Sequence, residues 1–270
     1  MDKEILRIAM ELRPIDDDFM RLIFHDNISL VQYVLRIITG IDDLIVERSE
    51  TQFDLDIPGY RGLSLDVLAK DSTGKVFNIE VQRADTDACA QRARYHSAAI
   101  DTKTLKKMQK FKDLLDNYVI FITENDVLKG NQAAYIIERT IVGTQTLFND
   151  GAHIIYVNGA FTGTETPLEK LIHDFSCKSS EEMLCEPMAE ITHQFKETEE
   201  GRINMCKAVE EYGNIRENQG RQEGRQEGRQ EGIIETIISL VRDGLISVSE
   251  AAKRTSLSDE EIRRLAAQKG

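Results

Sequence analysis

The sequence predicts an α/β fold, with a mixed central sheet flanked by helices and followed by a C-terminal helical tail. Residues 63–70 and 76–83 alternate apolar and polar side chains with a period of two, and the turn segment DSTG joins them, as in a β-hairpin. The apolar run YVIFIT at 118–123 indicates a buried strand, and residues 18–38 carry apolar side chains at helical spacing. Strands and helices therefore share one chain.

The other elements follow from the same periodicities and from turn residues. In chain order we expect one or two helices over 18–38 that stop at Gly40, an extended run over 44–58 with a turn at Pro58-Gly59, the hairpin, a helix over 86–117, the strand at 118–123, extended runs over 135–142 and 153–157, and helices over 167–212. We assign residues 1–205 to one domain.

The C-terminal part differs from this domain in composition. Residues 220–232 read GRQEGRQEGRQEG, and glycines and like charges that recur every four residues weaken a helix. We interpret residues 206–232 as a marginal helix or flexible spacer, with a helix packed against a second subunit as the alternative. Residues 233–270 resemble a helix-turn-helix, but bases and acids are nearly balanced there. An oligomerising or protein-binding tail is therefore favoured over one that reads DNA.

Composition limits the possible functions. The 270 residues include 47 acids and 34 bases, a net charge of −13, so any contact with DNA must use a local basic patch. The four cysteines and five histidines show no metal-ligand spacing, which argues against zinc chemistry. No apolar run has the ~18 residues of a membrane span, and the N-terminus lacks the apolar stretch of a signal peptide. We expect a cytoplasmic protein.

The hairpin brings two acids together. If its loop is Ser72-Thr73-Gly74, Asp66 lies directly opposite Glu80, and Leu68 lies opposite Asn78. Two opposed carboxylates among apolar residues need a shared proton or a cation, and Mg²⁺ favours oxygen ligands of this kind. A solvent-facing sheet with ordinary surface acids is the alternative.

The run SLDVLAKDSTGKVFNIEVQRAD resembles the core of the PD-(D/E)XK nuclease superfamily, in the branch of Rpn-type recombination-promoting nucleases or transposases. That branch has an Asp in one strand and Glu-x-Gln in the next, here Asp66, Glu80 and Gln82. The similarity continues through QRARYH at 91–96, YVIFITE at 118–124, YVNG at 156–159 and the tail repeats. Departures are Met20 where relatives have Lys, MQKF at 108–111 for Gly-x-x-Tyr, and Tyr95-His96 for Tyr-Tyr.

The resemblance implies a restriction-endonuclease-like core: a helix, three antiparallel strands, a helix and a further strand. It also implies metal-assisted phosphodiester hydrolysis, with Mg²⁺ (or Mn²⁺) bound by Asp66, Glu80 and the backbone carbonyl of Val81. Gln82 replaces the usual Lys and supplies no charge. Arg92 is our candidate for the missing charge, and Tyr95 shares its helix face. A surface ion pair for Arg92 and core packing for Tyr95 are the alternatives.

Other residues are candidates for the site and for DNA binding. Asp17 is a further possible metal ligand, although helix capping explains the cluster Asp16–Asp18 equally well. At helical spacing Lys103, Lys106, Lys107 and Lys110 would form a basic stripe for DNA phosphates, with a solvated helix face as the alternative. We predict a Mg²⁺-dependent DNA endonuclease linked to recombination or mobile elements and a homo-oligomer assembled through the tail. A catalytically silent DNA- or partner-binding module and a toxin-like DNA or RNA nuclease in phage defence are the alternatives.

Overall fold

A computed structural model of the chain describes residues 3–56, 59, 61–83, 88–255 and 257–267, without the side chains of residues 219, 222, 223, 226 and 227. The chain divides into two compact units, Met1–Glu210 and Glu211–Gly270. The domain limits at 205 and 232 that we drew from the sequence stay predictions. In the part of the chain that the structure describes, no helix has the length and apolar character needed to cross a membrane.

The strands of the first unit form a mixed sheet. They are β1 (Val46–Leu55), β2 (Leu63–Asp71), β3 (Val76–Gln82), β4 (Asn117–Thr123), β5 (Ala134–Ile137), β6 (Thr140–Ile141), β7 (Thr146–Leu147) and β8 (Ala152–Asn158). Six of them are ordered β1-β2-β3-β4-β8-β5, and β6 and β7 pair separately. Strands β1, β2 and β3 are antiparallel, whereas β3, β4 and β8 run parallel. The predicted mixed sheet is confirmed.

Helices cover both faces of this sheet. They are α1 (Lys3–Glu11), α2 (Asp17–Phe24), α3 (Ile28–Thr39), α4 (Ala90–Thr104), α5 (Pro167–Phe175), α6 (Glu186–Lys196) and the start of α7 (Glu199–Arg242). Local signals set several ends: Gly40 closes α3 with φ +70°, and Thr166 and Glu169 form a capping box before α5. The order α3, β1–β3, α4, β4 is the predicted restriction-endonuclease-like core.

The apolar core lies on both faces of the sheet. On one face Val67, Phe77 and Ile79 pack with buried side chains of α2, α3 and α5, including Phe19 and Phe175. On the other face α4 contributes Ala93, Ala99 and Ile100 to a cluster with Val119 and Phe121. The central strands are thus buried on both sides, so their polar side chains that face α4 lie in a dry environment.

The second unit is helical, as predicted. It contains the end of α7, then α8 (Val248–Arg254) and α9 (Asp259–Ala267), with Ile237, Ile238, Ala251 and Ile262 as its core. Gly244, with φ +71°, follows α7, and Ser247 accepts a hydrogen bond from the Glu250 amide at the start of α8. Ser258 and Glu261 cap α9 reciprocally.

One element prediction is wrong, and the structure refines others. The helix predicted over 86–117 ends at Thr104, and residues 105–116 form a loop that contains a short 3-10 turn at Phe111–Asp113. The helices predicted over 167–212 are confirmed as α5, α6 and the start of α7, and the extended run over 135–142 divides between β5 and β6. The repeat at 220–232 lies inside the continuous helix α7. Pro58 and residue 86, where we placed a turn and a helix start, lie outside the described residues.

Candidate active site

The β2–β3 hairpin has the register that the loop length predicted. The Asp71 amide donates to the Lys75 carbonyl over 3.0 Å, and Gly74 takes the left-handed position with φ +93°. Leu68 lies opposite Asn78, as expected. Regular pairing ends at Val67 and Ile79. The next residues on the two strands, Asp66 and Glu80, therefore lie where the hairpin begins to open.

The two acids are joined through the backbone of the opened strands. The Asp66 amide donates to Glu80 Oε1 over 3.2 Å, and the Val81 amide donates to Asp66 Oδ2 over 3.0 Å. On the other edge of β3, the Gln82 carbonyl accepts from the Glu124 amide. Because backbone groups alternate along a strand, the Val81 carbonyl points to the same side as its amide, toward Asp66.

Glu80 is the more buried of the two acids, at 1% exposure. Asn78 Nδ2 donates to Oε1 over 2.8 Å, and Arg92 Nη2 lies 3.3 Å from Oε2. The pKa of Glu80 is nevertheless raised, first by burial and then by the nearby charge of Asp66. Its neighbours therefore do not fully compensate a negative charge at this position.

Asp66 is half-buried and faces the entrance of the site. Gln52 Nε2 donates to its Oδ1 over 3.2 Å. Gln52 has φ +53° in the middle of β1, a conformation that costs a non-glycine residue on the order of 1 kcal/mol and that recurs at functional sites. Burial raises the pKa of Asp66, and the carboxylate of Asp17 raises it further.

Arg92 lies near the start of α4, and its guanidinium contacts both Glu80 and Gln82 of β3. Its Nη1 donates to Gln82 Oε1 over 3.3 Å, and its guanidinium carbon lies 5.8 Å from the centre of the Phe121 ring. The cation is thus held between the acid pair and an aromatic face. The structure places Arg92 where our sequence argument needs a positive charge.

His96 and Asn78 connect Arg92 to Glu80 by a second route. Arg92 Nε donates to His96 Nε2 over 3.3 Å, and His96 Nδ1 lies 3.1 Å from Asn78 Oδ1. Burial, and secondarily Arg92, lowers the pKa of His96 to about 4. The imidazole is therefore neutral near pH 7, with its proton on Nδ1. The sequence places both residues on the correct faces but gives no sign of this contact, which depends on how α4 docks on the sheet.

An open cleft leads to the acid pair. It is lined by Asp17, Arg21, Asp66, Val81, Gln82 and Arg92, among others. Asp17 lies in the first turn of α2 and forms an ion pair with Arg21 over 2.8 Å, so it reaches the cleft and does not cap the helix. Its role as a metal ligand stays a prediction.

Two other groups of predicted site residues are not among the residues that line this cleft. The Tyr95 hydroxyl donates to the Arg61 carbonyl over 2.6 Å, in a second cleft that Arg94 also lines. Of the four lysines only Lys103 is helical, because α4 ends at Thr104; Lys106, Lys107 and Lys110 are exposed in the following loop. The predicted helical stripe is wrong, although the lysines still form one basic segment.

The donor set at the acid pair suits a hard divalent cation. Asp66, Glu80 and the Val81 carbonyl offer oxygen atoms only, and Mg²⁺ binds through one or two carboxylates with water and phosphate oxygens. A cation at this position would replace the proton that the raised pKa values of Asp66 and Glu80 favour. The residues present therefore fit a magnesium or manganese ion.

The order of elements and the acid pair on a hairpin define a restriction-endonuclease-like fold. A family model described as "PD-(D/E)XK nuclease family transposase" matches residues 28–170, which is 143 of 270 residues and more than half of the chain. The chain belongs to this family, as the sequence motifs predicted. Comparison with curated proteins and with solved structures gave no match.

Proposed function

We propose that this protein is a Mg²⁺-dependent DNA endonuclease associated with recombination or mobile elements. The observation that supports this most directly is the pair of a buried Glu80 and a half-buried Asp66, of which Asp66 opens to a cleft and Glu80 has Arg92 beside it. A stable fold gains nothing from two adjacent carboxylates with raised pKa values, because their repulsion and desolvation oppose folding. Such a pair is expected where a cation has to bind.

Each residue at the site has a role in this proposal. Asp66, Glu80 and the Val81 carbonyl would hold the ion, which supplies Lewis-acid activation of the phosphodiester and a lowered pKa for the attacking water. Arg92 would stabilise the charge that develops on the phosphoryl oxygens, in place of the lysine common in this superfamily. Gln82 occupies the position of that lysine and would donate a hydrogen bond there, while its Oε1 accepts one from Arg92 Nη1.

The partner and the location follow from the same proposal. Family membership favours DNA as the substrate, and the basic segment Lys103–Lys110 is where its phosphates would be held. Arg21 and Arg92 line the cleft itself and would contact the phosphate next to the reacting bond. We also propose that the protein acts in the cytoplasm, where chromosomal and plasmid DNA are accessible, and that it self-associates through the tail.

Nicking of supercoiled plasmid, with and without Mg²⁺, tests the activity. We expect cleavage only with the metal, and a loss of at least a hundredfold in Asp66→Ala and Glu80→Ala. Arg92→Ala should reduce the rate much more than Arg94→Ala, because Arg92 contacts Glu80 and Gln82 and lines the cleft of the acids, whereas Arg94 lines only the second cleft. Equal rates for the two arginine variants would contradict the role of Arg92.

The outcomes separate the proposal from its alternatives. Metal binding by calorimetry with no cleavage of DNA or RNA would identify a silent module that keeps the ion site. Cleavage of RNA but not of DNA would identify the toxin-like alternative. Metal affinity that is unchanged in both Asp66→Ala and Glu80→Ala would show that the ion binds elsewhere.

A further inference from the structure

The C-terminal end of α5 brings together a histidine, an aspartate and a cysteine. His173 lies in the last turn of α5 and Cys177 follows the end of the helix, and His173 Nδ1 lies 3.5 Å from Cys177 Sγ and 3.1 Å from Asp174 Oδ1. The three ligand atoms all lie within 4.8 Å of one another. The sequence pattern alone does not indicate a metal site here, because the spacing His-x-x-x-Cys occurs without a second pair of the same kind.

The two separations that involve His173 Nδ1 match edges of a tetrahedral zinc site, and the third, between Cys177 Sγ and the Asp174 oxygen, lies within 4.8 Å. With Zn–S of about 2.3 Å, Zn–N and Zn–O of about 2.0 Å and tetrahedral angles, sulfur and nitrogen lie about 3.5 Å apart, and nitrogen and oxygen about 3.3 Å apart. The observed separations are 3.5 Å and 3.1 Å. Nitrogen, sulfur and carboxylate ligands together favour Zn²⁺ over Mg²⁺, which takes oxygen ligands.

The surroundings of Asp174 also favour a cation. Asp174 is completely buried, yet among the described residues no Lys or Arg forms an ion pair with it. Its oxygens accept from the backbone amides of Leu184 and Cys185, each over 2.8 Å, which fixes the carboxylate at the start of α6. Its Oδ1 also faces His173, so the carboxylate is oriented for a ligand between them.

An ion could reach the cluster from outside. A cleft lined by residues 159–164 also contains His173, Cys177 and Glu182. His173 is partly exposed to it, whereas Cys177 is buried. A fourth zinc ligand, either water or the Glu182 carboxylate, would come from this side.

We propose that His173, Asp174 and Cys177 bind one Zn²⁺, separately from the Mg²⁺ site at Asp66 and Glu80. The ion would tie the end of α5 to the segment that leads into α6. On binding, the S–H bond of Cys177 breaks, the Zn–S bond forms and the proton leaves to solvent; His173 binds through Nδ1 and carries its proton on Nε2. This inference does not depend on the proposed nuclease activity.

Cobalt titration of the full-length chain tests the site, because a thiolate bound to Co²⁺ gives a sulfur-to-metal charge-transfer band that oxygen ligands do not give, and tetrahedral coordination gives d–d bands much stronger than those of octahedral oxygen ligands. We expect one equivalent of Co²⁺ to produce this spectrum, and Zn²⁺ to displace it and to raise the Tm. Asp66→Ala/Glu80→Ala should leave the spectrum intact. Absence of thiolate absorption in the wild-type protein would overturn the proposal.

Three substitutions sharpen the test. Cys177→Ser should abolish the thiolate absorption, and His173→Gln, at a partly exposed side chain, should weaken Zn²⁺ binding at least tenfold without unfolding the protein. Cys206→Ser makes the same chemical change at another buried cysteine and should leave the spectrum unchanged. A spectrum that survives Cys177→Ser, or that disappears equally in Cys206→Ser, would contradict this site.

Discussion

Glu80 lies between a second carboxylate and one guanidinium, with a neutral histidine and an asparagine behind it. Arg92 and Asn78 favour its charged form, whereas burial and Asp66 oppose it, and the net effect raises its pKa. A group with a raised folded-state pKa stabilises the fold most when it is protonated. In the absence of metal, this residue therefore makes the stability of the protein depend on pH.

Replacement of Glu80 by Gln should remove this dependence. The contribution of Glu80 is fully present below its ordinary pKa of 4.5 and is lost as the pH rises through the raised folded-state value. Between pH 5 and pH 8, the free energy of unfolding of the metal-free wild type should fall relative to Glu80→Gln by on the order of 1–3 kcal/mol, at about 1.4 kcal/mol per pKa unit. Urea unfolding of both proteins with a chelator present measures this difference.

His96 does not disturb this comparison. Its lowered pKa gives stability that is lost as the pH falls through its ordinary value toward about 4, but the effect is common to both proteins and cancels in the difference. Saturating Mg²⁺ should abolish the relative loss of the wild type at high pH. Parallel stability curves without metal would contradict a raised pKa at Glu80.

Asn78 should position the Glu80 carboxylate for the ion. It donates to Oε1 over 2.8 Å and is itself held by His96 and by the Val67 carbonyl. Asn78→Ala should lower Mn²⁺ affinity about 10–100-fold, because residues that orient a ligand typically have effects of this size. Calorimetry measures this affinity.

A matched substitution separates positioning from loss of stability. Asn158→Ala removes an equally buried amide, at 2% exposure, from the end of β8, where it donates to the Gln132 carbonyl. Both variants should lose stability, but only Asn78→Ala should lose metal affinity. If both variants bind Mn²⁺ as the wild type does, Asn78 has no positioning role.

The sequence alone predicts that Asp66 and Glu80 lie side by side, but it does not predict which residues hydrogen-bond to them. Loop length and a period of two fix the hairpin register, which places Asp66 against Glu80. The contact of His96 with Asn78 depends on how α4 lies on the sheet, and the left-handed backbone of Gln52 depends on its partner Asp66. Local patterns do not encode such tertiary contacts.

At the scale of elements, the length of β3 decides where α4 ends. The seven residues of β3 span roughly 23 Å at about 3.3 Å each, and the chain must return by that distance before β4 begins parallel to β3. The 15 residues of α4 span roughly 22 Å at about 1.5 Å each, which is sufficient. A helix that continued to residue 117 would be about twice as long as this distance. No glycine or proline in the sequence marks the end of the helix at Thr104.

The loop that follows α4 carries the lysines that we propose for DNA contact. Replacement of Lys103, Lys106, Lys107 and Lys110 by Gln should flatten the dependence of log Kd on log salt by up to about 0.9 per lost phosphate contact. Metal affinity should not change, because the loop leads into the start of β4, at the opposite end of the strands from Glu80. Filter binding at several salt concentrations gives the slope.

The control must remove the same charge from another part of the surface. Lys3, Lys129, Lys207 and Lys253 are also exposed, and none of them lies in the 103–110 segment. Their replacement by Gln changes the net charge equally and should leave the slope nearly as in the wild type. Equal slopes for the two quadruple variants would place the path of the DNA elsewhere.

At the scale of the whole molecule, charge and assembly pose separate questions. An excess of 13 acidic charges repels DNA from most of the surface, so the DNA binding that we propose would use the arginines of the cleft and the lysine loop. Assembly concerns α7, which contains the glycine repeat. Our two interpretations of the repeat, a marginal helix and a helix packed against a second subunit, differ in what the glycines contact.

Replacement of Gly220, Gly224, Gly228 and Gly232 by Ala distinguishes these interpretations. A Cβ at any of the four positions meets nothing within 4 Å in the single chain, so each alanine should favour the helix by about 1 kcal/mol. We expect slower amide hydrogen exchange over residues 211–232 and unchanged self-association by light scattering. Gly201→Ala provides the contrast, because its Cβ would clash with the Gln194 carbonyl oxygen, so this substitution should destabilise the first unit. If the wild type self-associates as we propose, and the quadruple variant does not although its helix becomes more protected, the glycines form the interface between subunits and the spacer interpretation is wrong.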